Sequence, residues 1–214
     1  MTRARGLWVA FLGPDGAGKS TVIERIERDL ADCFSEVRRF HLRPHFGLRG
    51  PDGPPVLDPH GRRPRGRLGS LAKLGWWWAD AVLGYAIAVR PVLRRHGLVL
   101  FDRTLDDVVV DPHRYRYRGS AALARAAARG APRPHVVVVL DAPDAVLRDR
   151  KREVAPEETA RQRRAYRALA SRLPGAVLVD ASRAIDEVVG EIRGIVLRAA
   201  GQEFAVEAAV QGAR

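Results

Sequence analysis

Gly13-Pro14-Asp15-Gly16-Ala17-Gly18-Lys19-Ser20-Thr21 is the stretch on which the fold turns. It satisfies the phosphate-binding pattern G-x-x-x-x-G-K-[ST] in full. Leu7 to Leu12, ahead of it, is an apolar run of buried-strand length. Thr21 to Leu30, behind it, has apolar residues at 22, 23, 26 and 30, which is helical spacing. Strand, glycine-rich turn and helix together are the context the motif requires. The residue types follow from the task. Gly13, Gly16 and Gly18 let the backbone curl until several N–H groups face one concavity. The following helix adds the positive end of its dipole. Lys19 is placed to reach the outer phosphates of a nucleotide, and the Ser20 hydroxyl to ligate Mg²⁺.

Outward from this loop the chain alternates strand and helix. Glu36–Leu42, Gly97–Asp102, His135–Asp141 and Ala176–Asp180 read as four further strands. The unbroken apolar run of Val136 to Leu140 means cover on both faces, as in a parallel sheet. Helices are expected over Ser70–Arg95 with a break near Gly84 or Pro91, and over Ser120–Arg129, Pro143–Arg152, Pro156–Leu173 and Ile185–Ala199. Five strands without a hairpin signal predict an α/β, three-layer sandwich around a five-stranded parallel sheet with right-handed crossovers. Residues 1–200 then form one domain and 201–214 a weakly specified tail. Arg43–Gly69, rich in Pro, Gly and Arg, is the longest irregular stretch and is read as an acceptor-side loop; a mobile basic loop is the plainer reading. Trp76, Trp77 and Trp78 cannot share one helix face, so one or two of them belong to the core.

Composition narrows the function. The formal charge of the 214 residues is +12, yet all but three of the 37 basic residues are arginine, scattered and without a nucleic-acid motif. An anionic small-molecule substrate explains the clusters better than DNA or RNA does. A single cysteine, Cys33, excludes a disulfide framework and points to a reducing, cytoplasmic setting; no signal peptide is apparent. Leu74–Val89, the most apolar segment, is short for a membrane span and carries Asp80. It could serve a homodimer.

Two strand ends carry charge where open α/β sheets bind ligands: Asp102-Arg103 and Asp141. After the first of these, residues 104–118 pack Asp106, Asp107 and Asp111 with Arg114, Arg116 and two tyrosines; a surface ion-pair network is the plainer reading. Arg148, Arg150, Lys151 and Arg152 crowd a helix end, where cations are favoured in any protein. They also offer what the variable positions of the phosphate loop, Pro14 to Ala17, lack: an arginine for the charge that spreads in a phosphoryl-transfer transition state.

These residues carry a family likeness. The loop 13–21, with an Asp inside and Gly-Lys-Ser-Thr at its end, resembles the phosphate loop of thymidylate kinases. Phe101-Asp102-Arg103-Thr104 is similar to their Asp-Arg motif, and Leu140-Asp141-Ala142-Pro143 with the arginine cluster to their fourth strand and lid, here 148–156. The likeness runs over about residues 7–200 and implies a P-loop NTPase kinase fold that moves the γ-phosphoryl of ATP to an acceptor. It implies that Gly13, Asp15, Gly16, Ala17, Gly18, Lys19, Ser20 and Thr21 hold the nucleotide and that Ser20 and Asp102 serve Mg²⁺. Asp102 could instead act as general base. Lys19, Asp102, Arg103, Arg148, Arg150 and Arg152 are the catalytic candidates; Asp15, Arg43, Arg103, Asp107 and Arg114 are the acceptor-binding ones. Arg150 and the 181–183 loop would flank adenine. The chain also departs from the family. Leu42-Arg43-Pro44-His45 replaces a longer Arg-Glu-Pro-Gly-Gly-Thr run, and the Ser-x-x-Ala-Tyr-Gln-like run that reads thymine has no counterpart in 105–117. dTMP leads as acceptor, with a nucleoside, sugar or other metabolite behind it. A nucleotide-binding switch or nucleic-acid-associated NTPase is the reading from another class.

Overall fold

The computed structural model describes residues 5–44, 66–150 and 155–201. Most of the 43–69 loop, Arg152 with the centre of the expected lid, and the tail beyond 201 lie outside them. The five strands are β1 (Leu7–Leu12), β2 (Val37–His41), β3 (Leu98–Asp102), β4 (Val136–Asp141) and β5 (Ala176–Asp180), all parallel, in the order β2-β3-β1-β4-β5. The central strands β1, β3 and β4 are buried along their whole length, as continuous apolar runs require. The edge strands β2 and β5 are only half-buried.

Helices cover both faces. On one, α1 (Lys19–Asp29) and α8 (Ile185–Ala199) pack on Val9, Phe11, Leu100 and Val138. On the other, Trp8, Ala10 and Phe101 meet Val89 and Val92, while Leu12 and Val139 meet Tyr166 of α7 (Pro156–Ala170). Alternate residues of β1 thus feed opposite layers, the period-two rule of a strand.

The long helix differs from its sequence reading. α2 begins earlier, at Arg67, and runs to Gly84. A π turn, Tyr85–Val89, follows, and α3 (Arg90–Arg94) completes the run. Gly84 sits where a Cβ would lie 2.8 Å from the Pro44 ring, so the chain after β2 can approach α2 only at a glycine. Of the three tryptophans Trp77 alone is core; Trp76 and Trp78 are 59% and 40% exposed, and Leu83 and Ile87 are exposed with them. Two short helices, α4 (Asp106–Val110) and α5 (Ala121–Gly130, capped by Ser120), follow β3, and α6 (Asp144–Arg150) follows β4. Among the described residues no helix is long and apolar enough to cross a membrane.

Candidate active site

The carboxyl ends of β1, β3 and β4 converge, and the loop 13–18 curls above them. Gly13, Gly16 and Gly18 have φ of 140°, 84° and 82°. Each lies in the left-handed region that a side chain disfavours. At Gly13 space forbids one too, since a Cβ would stand 2.4 Å from the Leu140 carbonyl oxygen. At Gly18 nothing lies within 4 Å, so the concavity above the loop is open. Ser20 and Thr21, in the first turn of α1, are exposed there.

Lys19 is buried, and its ammonium donates to the carbonyls of Gly13 and Pro14, both at 2.8 Å. Burial, with help from the Arg103 charge, lowers its pKa to about 7. The lysine is folded back on its own loop.

Asp102 ends β3 beside His41 of β2, its partner in the strand register. Its Oδ2 lies 3.4 Å from His41 Nδ1, whereas Oδ1 is buried with no hydrogen-bond partner. Burial works to raise its pKa, but the His41 hydrogen bond and the charges of Lys19 and Arg103 outweigh it and hold the carboxyl at about 2. An ionised oxygen buried without a partner costs free energy unless something meets it.

Arg103 follows with φ of 77°, a left-handed conformation uncommon for any residue that carries a Cβ. The turn aims its guanidinium under the phosphate loop. Nη2 donates to Asp15 at 2.6 Å, and Nη1 to Asp107 at 2.9 Å and to the Tyr166 hydroxyl at 3.3 Å. Tyr166 donates to the same Asp107 oxygen at 2.5 Å, and the other takes the Thr104 N–H. Asp107 is therefore fully buried and engaged at both oxygens. It holds Arg103 in place and has no oxygen turned to a ligand. Arg114, by contrast, is part-exposed and donates to the second Asp15 oxygen at 2.6 Å.

Arg43 is drawn the other way. It donates to Asp80 of α2 at 2.8 Å, in a pair whose carboxylate is fully buried. The Lys73 ammonium lies 4.3 Å from the Trp77 ring centre and the Arg43 guanidinium 5.8 Å from it, so cations lie against the ring. Arg148 and Arg150 stand exposed on α6, and Arg150 donates to the Ala181 carbonyl at 2.9 Å. That contact joins the C-terminal end of α6 to the loop after β5.

Four residues of the site escaped the sequence reading. His41 is one. The others lie on α7: Tyr166, Gln162, which donates to Asp111 at 3.1 Å, and Arg163, which grips Asp141 at 2.7 and 3.2 Å and reaches Asp144 at 3.3 Å. Gln162 and Tyr166 are buried four residues apart, with Arg163 between them: a polar stripe on a helix face turned to the sheet. That spacing was a signal available in the sequence.

No family model matches the chain. The thymidylate kinase of Leifsonia xyli subsp. xyli is 31% identical to it over 211 residues, spanning 90% of this chain and 95% of that protein. The chain belongs to the thymidylate kinase family. A second family member, from Symbiobacterium thermophilum, is also 31% identical, over 89% of this chain and 92% of its own. Among solved structures, the thymidylate kinase from Ehrlichia chaffeensis superposes with a TM-score of 0.58 at 16% identity, over 87% of this chain and 96% of that one. That likeness carries the family's fold, with the five-stranded sheet seen here.

Proposed function

We propose that this family member transfers the γ-phosphoryl group of Mg-ATP to a small phosphorylated acceptor, with dTMP the leading candidate. The observation that carries the reading is the Asp15 carboxylate held between Arg103 and Arg114 directly beneath the phosphate loop. Two guanidiniums there face two carboxylates, Asp15 and Asp107. An acceptor phosphate brings new negative charge. It competes with Asp15 for the arginines and frees that carboxylate to accept from an acceptor hydroxyl.

The residues present fit the donor and its metal. The glycine cradle offers N–H groups to the polyphosphate, Ser20 an exposed hydroxyl, and Asp102 an ionised oxygen in want of a donor. The donor supplies the group transferred, and its metal neutralises the phosphate oxygens. The protein supplies position and charge. Held at about 2, Asp102 is a weak general base at neutral pH, which favours the role of orienting metal-bound water over proton abstraction. Arg148 and Arg150, and Arg152 beyond the described residues, are the proposed source of cations that close over the γ-phosphate; Arg150 and Ala181 are the proposed flank of the adenine.

Two experiments test this. A panel of nucleoside monophosphates, nucleosides and sugars is assayed for acceptor-dependent ATP consumption. Turnover with a monophosphate, and none with ATP alone, is the expected result; turnover without acceptor, stimulated by DNA or RNA, would instead mark an NTPase. The second experiment reads Lys19. At pH 8 a lysine of pKa about 7 is largely neutral in the free protein. Against a polyphosphate it is cationic, so nucleotide binding takes up a proton. The calorimetric binding enthalpy should therefore depend on the ionisation enthalpy of the buffer, with an uptake approaching one proton at pH 8 and fading as the pH falls below 7. Enthalpies equal in phosphate and Tris buffers would reject it.

A further inference from the structure

A second cleft, of about 540 Å³, opens on the far side of the segment that carries Arg114. Its walls come from the start of α2 (Arg67), from Pro112 and His113, and from Tyr117 and Arg118; Val108, Val109 and Ala124 form an apolar floor. None of its lining residues is acidic. Arg67, His113 and Arg118 are all exposed, with no carboxylate within ion-pair distance of either arginine among the described residues. Arg43, Arg103, Arg114, Arg161 and Arg163, by contrast, are each paired with an acid.

We propose that this cleft is a binding site for a phosphorylated small molecule, separate from the phosphate loop. Its volume is that of a small-molecule pocket, and its lining is of the matching kind: an apolar floor with a few converging polar groups. Two guanidiniums suit an anion with several acceptor oxygens, because each arginine can offer a fork of N–H donors, while the His113 imidazole already lies within electrostatic reach of Glu158 on α7. Both α2 and α5 begin at its rim, so two helix dipoles present their positive ends to the same space. The wall is also part of the catalytic machinery. Pro112, His113 and Tyr117 face the cleft, while Arg114, between them in sequence, reaches Asp15. The backbone there is pinned by the Arg114 N–H on Asp111 at 3.0 Å and the Arg118 N–H on the Ser70 hydroxyl at 3.0 Å. An anion seated in the cleft therefore holds the segment that carries Arg114.

Pyrophosphate is the probe, and Lys19→Ala is the background, which weakens the competing phosphate loop. Calorimetry on Lys19→Ala should show one pyrophosphate site. Adding Arg67→Ala and Arg118→Ala, both at exposed positions, should weaken it at least about tenfold. Adding Arg125→Ala and Arg129→Ala instead removes equal charge from α5 without touching the cleft, and should leave the affinity within about twofold. No binding to Lys19→Ala, or equal losses in the two sets, overturns the site. Wild-type binding of Mg-ATP is measured alongside. Its absence would count against the kinase reading and leave the cleft standing, while a cleft that fails with Mg-ATP still bound would leave the kinase reading intact.

Discussion

Lys19→Ala should lower the rate of phosphoryl transfer by about 10³-fold and leave the fold in place. The rate effect follows from what the ammonium does when a nucleotide is bound. On the proposed function it is a preorganised cation against the polyphosphate, and removing one such donor from where charge develops costs about 10²–10³ in rate. A formal positive charge sits at the upper end of that range. The fold should survive because Lys19 is a burden on the free protein. Its pKa falls from 10.5 to about 7 chiefly through burial, so between those values the unfolded chain holds a proton that the folded chain does not. Stability of the wild type therefore rises with pH across that window, and the burden is greatest below pH 7. Lys19→Ala lacks the ammonium and should lack that rise. Chemical denaturation at pH 7 and pH 9 checks both halves: a steeper increase in wild type, and a variant no less stable at pH 7. Full activity in Lys19→Ala, or a variant that does not fold, would refute the account.

The sheet could be read in the sequence because its causes are local. Val136 to Leu140 can only be a strand covered on both faces, and Gly13 to Ser20 can only follow a strand and open a helix. Edges and breaks were harder. The π turn at Tyr85–Val89 begins where Gly84 meets Pro44 and Tyr85 stacks on Trp8, tertiary contacts that periodicity does not carry. α4 is five residues long, below the reach of any periodic signal. In the site, residue types were legible and partners were not. Asp15 was placed by its motif, yet that it binds Arg103 and Arg114, 88 and 99 residues away, depends on where two loops land. His41 meets Asp102 only because β2 pairs with β3 in one particular register. Asp107 shows the cost of reading type without burial. An Asp among arginines suggested a ligand contact, and the structure instead closes it in beneath Arg103 and Tyr166. Arg163 and Tyr166 lie on α7, which the sequence marks as a helix over Pro156–Leu173 without assigning its polar residues to the site.

Burial also fixes how Arg103 can be tested. Arg103→Ala removes the cation that faces Asp15 and the fully buried Asp107, and stranding a buried carboxylate costs about 3–5 kcal/mol. Some loss of stability is therefore expected, and the informative measurement is how the loss divides between the two substrates. If Arg103 grips the acceptor, its removal raises the acceptor KM by about 10²-fold, the loss of one strong charged contact, while the KM for ATP changes severalfold at most. Arg103→Lys keeps the charge and the pairing with Asp107 but loses the fork that reaches Asp15 and Tyr166 together. It should fold like the wild type and still show the acceptor-side defect. Arg114→Ala is the graded comparison. Arg114 is part-exposed and pairs with Asp15 alone, so its loss should weaken the acceptor less and cost little stability. The order Arg103→Ala, Arg103→Lys, Arg114→Ala in acceptor KM, against a nearly constant ATP KM, is what a shared acceptor grip requires. Equal changes in both KM values for Arg103→Lys would mean that Arg103 only shapes the phosphate loop through Asp15, and the acceptor would have to be held elsewhere.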